Sequence, residues 1–160
     1  MIKTITEAII DGYGSGETSF LARLGQSDVQ VQSDIQTNII EPLLAVLNSS
    51  DQTAVLTVAG HSDRVDTAGL TREQRRQEEL TASETRANDA AEGVKQLIRD
   101  RFLLDAGVLL PVDLDDIQQL AILPRVAGAA VLRESAEELS EEQRRLNRRV
   151  QMRVVSFRPG

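Results

Sequence analysis

The sequence predicts an α/β two-layer sandwich, in which helices pack on one face of a mixed β-sheet. Three segments carry this prediction. Residues 53–59 form a short Val-rich apolar run, residues 83–102 repeat apolar positions at helical spacing, and residues 150–155 alternate apolar and polar side chains. Strands that alternate with helices along a chain favour layered α/β architectures. The length of 160 residues fits a single domain.

The N-terminal third is predicted to hold a lead segment, a strand and a helix. Residues 1–19 contain three glycines and are predicted to be a flexible lead or docking segment, followed by a domain over 20–160. Phe20 to Leu24 is predicted to be a strand. Ser33-x-x-Gln36 has the pattern of a capping box that starts a helix, and Pro42 is expected to kink that helix. One side of the predicted helix carries Ile35, Ile39, Ile40, Leu43, Leu44 and Leu47.

The middle of the chain is predicted to contain a charged helical segment and then a core-facing helix. Thr71-x-x-Gln74 is a second capping-box pattern, and residues 71–82 mix arginines with glutamates, as is typical of a solvated face. The helix over 83–102 has a single apolar stripe, made by Ala87, Ala90, Ala91, Val94, Leu97 and Ile98.

The C-terminal third is predicted to add strands and one short helix. Residues 108–111 and 120–123 are apolar runs bounded by proline, which favours strands over helices. Ser140-x-x-Gln143 is expected to cap a short charged helix. The last strand is expected to pack Val150, Met152 and Val154 on one face of the sheet.

Composition argues against several classes of partner. The chain has 25 Asp and Glu against 18 Lys and Arg, and its formal net charge of -7 opposes binding to nucleic acid or anionic lipid. Aromatic residues are scarce and Trp is absent, so a base-stacking or sugar-stacking platform is not expected. No apolar run reaches about 18 residues, so direct membrane insertion is not expected.

Catalytic, metal and cofactor sites are not expected either. The chain has no Cys and a single histidine, His61, so no thiol nucleophile, zinc cluster or Ser/His/Asp triad can be assembled from its motifs. Asp113-x-Asp115-Asp116 begins like a calcium loop but lacks the glycine and final glutamate of an EF-hand, so these acids are expected to cap a helix. We therefore expect a protein that is not an enzyme and binds no metal or cofactor.

The N-terminus lacks the basic region, the long apolar core and the small-residue cleavage site of a secretory signal peptide. We therefore expect the chain in the cytoplasm, or in a particle that is assembled there and later released. The alternative is a periplasmic location, if a leader was removed from a longer precursor.

Three motifs occur in order along the chain. An apolar strand ends in Gly-His-Ser-Asp at 60–63, a helix carries Ala-Ser-Glu-Thr-Arg-Ala at 82–87, and a late strand begins with Asn-Arg-Arg-Val-Gln at 147–151. Together they resemble the OmpA-like domain, the peptidoglycan-binding module also found in MotB-type stator proteins. The resemblance covers most of residues 20–157. It implies an OmpA-like α/β fold and noncovalent binding of peptidoglycan.

The resemblance also implies where the ligand would bind. Diaminopimelate in a wall stem peptide carries an ammonium and a carboxylate on one carbon, so a receptor needs an anion and a planar cation close together. Asp63 and Arg86 meet this need, and Arg86 is expected in the first turn of its helix, near backbone N–H groups that favour an anion. Ser62, Asn147 and Arg148 are further candidates. The alternative interpretation is that Asp63 and Arg86 form an ordinary surface ion pair.

Two departures from the family pattern affect this site. The gap between Asp63 and Arg86 is longer than usual by roughly two helical turns, because residues 71–82 intervene. Glu79 stands where the family has Asn, and an acid there is expected to repel a ligand carboxylate. Two functions therefore compete. One is a non-catalytic module that binds peptidoglycan stem peptides, and the other is a structural or adaptor subunit of a cytoplasmically assembled machine, such as a phage tail or contractile injection particle, with protein subunits as partners.

Overall fold

The computed structural model describes residues 1–160, which form four β-strands and five α-helices. In chain order these are β1 (Ile2–Ile10), α1 (Phe20–Gly25), α2 (Val29–Ile35), α3 (Glu41–Leu47), β2 (Thr53–His61), α4 (Arg72–Ala106), β3 (Leu120–Gly128), α5 (Glu141–Asn147) and β4 (Val150–Arg158). A π-helical turn over Gln36–Ile40 joins α2 to α3, and a short 3-10 turn spans Leu114–Asp116.

The four strands form one mixed sheet, which confirms the predicted fold class. Their order is β1-β4-β2-β3, with β4 antiparallel to both of its neighbours and β3 parallel to β2. Parallel neighbours need a long crossover between them, and α4 supplies it. Alternate residues of the strands are buried under the helices, among them Ala54, Leu56, Val58, Val150, Met152 and Val154. No helix combines the length and the apolar character needed to cross a membrane.

The N-terminal segment is part of the sheet, so the prediction of a flexible lead over residues 1–19 is wrong for residues 2–10. Strand β1 pairs with β4 along its whole length, from Ile2 opposite Arg158 to Ile10 opposite Val150. Its sequence does not show this clearly, since apolar residues such as Ile5 and Ile9 are exposed on one face while Ile10 is buried on the other. Such a strand lacks the clean alternation on which a strand prediction depends.

Residues 20–24 form helix α1 and not the predicted strand. The Ser19 side chain caps the helix by accepting a hydrogen bond from the backbone N–H of Ala22. Phe20 is fully buried against α4, where a Cβ added to Gly93 would lie 2.5 Å from the Phe20 ring. A short apolar run is compatible with either structure, so its capping and its packing against α4 decide the outcome.

Helices α2 and α3 run end to end through the π-helical turn, starting at the N-cap Asp28 and not at Ser33. Pro42 has no N–H, so it cannot donate to the carbonyl of Asn38 one helical turn earlier. That carbonyl instead accepts a hydrogen bond from the Thr6 hydroxyl on β1, and the Asn38 amide donates to the Glu7 carbonyl at 3.0 Å. The interruption caused by proline therefore fastens β1 to the helical layer.

The two predicted helices over 71–82 and 83–102 are one continuous helix, α4, of 35 residues. The capping box of Thr71 and Gln74 is present as predicted, and Gly107 ends the helix with a left-handed φ of 72°. The apolar stripe is buried as predicted except for Leu97, which is only partly buried. The helix continues through Ser83, so nothing interrupts it between its charged and apolar parts.

The remaining predictions mostly agree with the structure. Residues 120–123 belong to β3, α5 is capped by Ser140, and β4 packs as expected. Asp113 caps the 3-10 turn by accepting from the N–H of Asp115 at 3.0 Å. Residues 108–111 are not a strand, and most of their side chains are exposed.

Candidate functional site

Asp63 lies just beyond the end of β2 and is buried, with its carboxylate held from two sides. Its Oδ1 accepts a hydrogen bond from Asn147 Nδ2 at 2.9 Å, and its Oδ2 accepts one from Arg144 Nη1 at 2.6 Å. Arg144 also donates to Asp66 at 2.8 Å, so one guanidinium bridges two carboxylates. The charge-assisted bonds fix the orientation of Asp63 before any ligand arrives.

Asn147 positions Asp63 and does not line the cavity described below. Its amide nitrogen donates to Asp63 and to the Glu134 carbonyl, and its amide oxygen accepts from the N–H groups of Arg133 and Glu134. An asparagine side chain has two donors and two acceptor positions, and all four are engaged. Asn147 therefore ties Asp63 to the segment before α5 and has no hydrogen-bonding group left for a ligand.

Arg86 lies in the interior of α4 and not in the first turn of a helix, so that expectation was wrong. The cause is the continuous helix, which starts 14 residues earlier at Arg72. No free backbone N–H groups surround Arg86 at this point, since those of a helix interior are already hydrogen-bonded. Any anion at this site would be held by the guanidinium itself.

The Arg86 side chain is buried and oriented by residues distant in sequence. Its Nε donates to the Glu17 carbonyl at 3.0 Å, its Nη1 donates to the His61 carbonyl at 3.1 Å, and its guanidinium lies 5.5 Å from the centre of the Tyr13 ring. Burial lowers the pKa of Arg86, and the nearby positive charge of Arg148 lowers it further. The Nη2 group has no hydrogen-bond partner within the chain and is not fully enclosed.

Gly60 permits the close approach of helix and strand that brings Arg86 to His61. A Cβ at this position would lie 2.0 Å from the carbonyl oxygen of Ser83 and 2.9 Å from the backbone nitrogen of Ala87. Only glycine fits there without moving the helix. The Ser83 hydroxyl also accepts from the Gly128 N–H at 2.9 Å, which fixes α4 against the end of β3.

Arg148 follows α5 and turns back toward the N-terminal segment. Its Nη1 donates to Glu141 at 2.6 Å and makes a long contact of 3.5 Å with the Tyr13 carbonyl. Its charge is close enough to Arg86 to lower the pKa of that residue. The two arginines therefore share one wall, with only Arg148 balanced by a carboxylate in an ion pair.

These side chains surround an open polar cavity of about 420 Å³, which we call the ligand pocket. Of the predicted site residues, Ser62, Asp63, Arg86 and Arg148 line it, whereas Asn147 does not. The Ser62 hydroxyl is buried and has no hydrogen-bond partner in the chain. The lining also balances acids against bases: Asp63, Asp66, Glu78 and Glu79 against Arg64, Arg86, Arg144 and Arg148.

Glu79 has a structural contact that the sequence did not indicate. Its Oε1 accepts a hydrogen bond from the backbone N–H of Val65 at 2.9 Å, so it anchors the loop that follows Asp63. Glu79 still lines the pocket with a negative charge. The prediction that it repels a ligand carboxylate remains a prediction.

Three important residues were missed by sequence reasoning. Tyr13 and Glu17 lie in the segment predicted to be flexible, yet they hold Arg86, and Arg144 was predicted only as part of the short charged helix after Ser140. The only available signal for Tyr13 was its identity as the single tyrosine of the chain. Contacts that join residues 69 and 81 positions apart leave no periodic trace in a sequence.

His61 is buried and lies next to Arg149. Burial, and then the positive charge of Arg149, lower its pKa from the ordinary value to about 4. The imidazole is therefore neutral at pH 7, and neither of its nitrogens forms a hydrogen bond of normal geometry, although the Gln151 side chain and the Val131 backbone lie nearby. The structure contains no group of three or more His, Cys, Asp or Glu side chains arranged to hold a metal ion.

Comparisons with known proteins return solved structures only. The chain is similar to the periplasmic domain of Helicobacter pylori MotB, with 16% sequence identity and a TM-score of 0.39 over 95% of this chain and 81% of that one. It is also similar to the cell wall anchor of the T6SS from Pseudomonas aeruginosa, with 20% identity and a TM-score of 0.32 over 98% and 82% of the two chains. No family model matches the sequence, and neither does any curated protein.

Proposed function

We propose that this protein is a non-catalytic binding module that holds the diaminopimelate residue of a peptidoglycan stem peptide in the ligand pocket. The proposal follows the sequence resemblance to OmpA-like domains. The observation that carries it is the presence of a buried carboxylate, Asp63, and a buried guanidinium, Arg86, on the wall of one open cavity. A surface ion pair, the alternative interpretation, is not what these residues form, since each is buried and has other partners.

The hydrogen-bonding capacity left at the two groups matches a zwitterion. A carboxylate offers about four acceptor positions, and Asp63 has two protein donors, so it can still accept from an ammonium group. Arg86 has an unpartnered Nη2 that can donate to a carboxylate. Ser62 adds a hydroxyl that can serve as donor or acceptor.

The balanced charge of the lining supports the same class of ligand. A pocket with equal numbers of acids and bases has little overall attraction for a simple anion or a simple cation. It favours a molecule that carries both charges a short distance apart. Diaminopimelate does so at one carbon, whereas the lysine found in other stem peptides carries only the ammonium there.

Calorimetry with a diaminopimelate-containing muropeptide tests the proposal. We expect saturable binding by the wild-type protein, and we expect Asp63→Asn to weaken it by roughly 1.5–3 kcal/mol, the usual contribution of a hydrogen bond to a charged group. Ser62→Ala, a smaller change, should weaken binding by about 0.5–1.5 kcal/mol. Circular dichroism checks that each variant is folded.

A matched ligand and a matched variant serve as controls. The lysine-containing muropeptide should bind more weakly, since it lacks the carboxylate for Arg86. Asp105→Asn removes the same charge from an exposed ion pair on α4, outside the pocket, and should leave binding unchanged. Absence of wild-type binding at millimolar muropeptide, or equal binding of the two muropeptides, would refute the assignment of diaminopimelate.

A specific observation also favours the second candidate function, a structural or adaptor subunit. Large apolar side chains are exposed at the end of α4 and in the loop after it: Leu103, Leu104, Val108, Leu109 and Val112. Exposed apolar side chains that cluster in this way are typical of protein contacts. Replacing Leu104 and Leu109 with Ser should abolish co-purification with other subunits if this cluster makes such a contact, and unchanged co-purification would contradict it.

A further inference from the structure

A second cavity, of about 490 Å³, opens beside the first turns of α4. Four arginines line it, Arg64 from the loop after β2 and Arg72, Arg75 and Arg76 from α4, and we call it the arginine cleft. The only acidic residues in its lining are Asp66 and Glu79. In a chain with a net charge of -7, a cavity with an excess of positive charge is unusual.

The four arginines have no carboxylate partner within ion-pair distance. Residues 71–82 contain several glutamates, yet none of the four arginines forms an ion pair. The two acids of the lining are engaged elsewhere, because Asp66 pairs with Arg144 and Glu79 accepts from the Val65 N–H. The positive charge of the cleft is therefore only partly neutralised within the protein.

Two of the guanidinium groups also have unsatisfied donors inside the structure. The Nε atoms of Arg64 and Arg75 are shielded from solvent and have no hydrogen-bond partner. Arg64 is held in place by its Nη2, which donates to the Ala136 carbonyl at 2.6 Å. Buried donors without partners are uncommon in folded proteins. Because both Nε atoms are closed off from solvent, an anion in the cleft would contact the terminal nitrogens of these guanidinium groups.

Stability does not explain where these arginines lie. Arg72, Arg75 and Arg76 occupy the first five residues of α4, where the helix macrodipole is positive and cations are disfavoured. Each guanidinium also repels the others across the cleft. The position of the arginines is therefore unfavourable in two ways, through the helix dipole and through their mutual repulsion. A bound anion would offset both, so the arrangement fits an anion site.

We propose that the arginine cleft binds a multiply charged, phosphate-bearing ligand. Phosphate concentrates more than one negative charge and several acceptor oxygens in one compact group, so guanidinium forks arriving from the loop and from α4 can all contact it. A single carboxylate carries one charge and can accept two parallel hydrogen bonds from a guanidinium group on one side only. The cleft adjoins the ligand pocket and shares Arg64, Asp66 and Glu79 with it, whereas Arg72, Arg75 and Arg76 line only the cleft, so phosphate binding there does not depend on the diaminopimelate assignment.

Isothermal titration with pyrophosphate on the full chain tests the proposal, with citrate as an anion of similar charge. We expect saturable binding of pyrophosphate at millimolar or lower concentration, and weaker binding of citrate. Arg75→Gln should weaken pyrophosphate binding by about tenfold to a hundredfold, as the loss of one hydrogen bond to a charged group does. The double variant Arg72→Gln/Arg75→Gln should show no measurable binding.

Arg99→Gln is the matched control, because Arg99 lies on the same helix, forms no ion pair and does not line the cleft. It should bind pyrophosphate like the wild type, which excludes an effect of net charge alone. The proposal is overturned if the wild type shows no saturable binding, if Arg99→Gln loses as much affinity as Arg75→Gln, or if citrate binds more tightly than pyrophosphate. Arg72 is exposed, Arg75 and Arg99 are half-buried, and circular dichroism verifies that each variant is folded.

Discussion

Helix α4 divides into two segments with opposite surroundings. All nine of its buried residues lie between Ser83 and Ile98, whereas none lies between Arg72 and Ala82. The segment from Ser83 to Ile98, which we call the buried segment, packs against the sheet and α1, and it includes Arg86 of the ligand pocket. The segment from Arg72 to Ala82, which we call the outer segment, lines cavities instead: Glu78, Glu79 and Ala82 face the ligand pocket, and three arginines face the arginine cleft.

The difference shows how one element can provide both a rigid frame and a charged rim. The buried segment is fixed by the close approach at Gly60 and by Ser83, so it places Arg86 reproducibly. The outer segment is about 16 Å long at 1.5 Å per residue and is free to carry charges that a packed surface would not tolerate. Substitutions should therefore have large effects on stability in the first segment and small ones in the second.

The largest effect is expected for Gly60→Ala, at the point where β2 contacts the buried segment. The added Cβ would meet backbone atoms of Ser83 and Ala87 at 2.0 and 2.9 Å, and backbone cannot move aside as the end of a side chain can. We expect a loss of more than about 4 kcal/mol in the free energy of unfolding, or no folded protein at all. Chemical denaturation monitored by circular dichroism measures it.

Gly25→Ala provides the control for that prediction. Gly25 lies at the end of α1, has nothing within 4 Å of the position of a new Cβ, and does not have a positive φ. The substitution should be neutral or stabilise the protein by up to about 1 kcal/mol. If Gly60→Ala and Gly25→Ala had similar effects, α4 would not be held against β2 as described.

A smaller effect is expected for Ile98→Ala, at the far end of the buried segment. Ile98 is completely buried in the core cluster, so truncation should cost about 2–4 kcal/mol through lost transfer free energy and a residual cavity. Leu97→Ala should cost less, since Leu97 is only partly buried. Thermal melts of the two variants compare them directly, and an equal loss for both would mean that the orientation of the helix is wrong.

The contrast between the segments also explains what the sequence could predict. The stripe from Ala87 to Ile98 has a helical period, and the strand over 53–59 is short, apolar and Val-rich, so both were predicted correctly. The prediction divided this helix at Ser83, where the charged pattern gives way to the apolar stripe, whereas Ser83 lies inside the helix and its hydroxyl contacts Gly128. Local patterns do not reveal a contact across 45 residues.

The candidate site follows the same rule. Ser62, Asp63, Arg86 and Arg148 belong to the three motifs and line one cavity, since each motif lies near the end of a predicted strand or on the helix beside it. The supporting contacts of Arg86 depend on Tyr13 and Glu17, which precede the region of resemblance. Those contacts are formed by a backbone carbonyl and a ring face, so they cannot be predicted from the spacing of residues in the sequence.

The smallest effect, and one of opposite sign, is expected for Arg72→Glu at the start of the outer segment. Arg72 is the first residue of α4, where a negative charge interacts favourably with the helix macrodipole and a positive charge does not. The substitution also removes one of the four like charges around the arginine cleft. We expect the free energy of unfolding to rise by about 0.3–1 kcal/mol at low ionic strength, and the gain to shrink as salt is added. Urea denaturation at two salt concentrations measures both. A loss of stability would mean that Arg72 has a favourable contact within the protein, and its position at the cleft would then have a structural explanation.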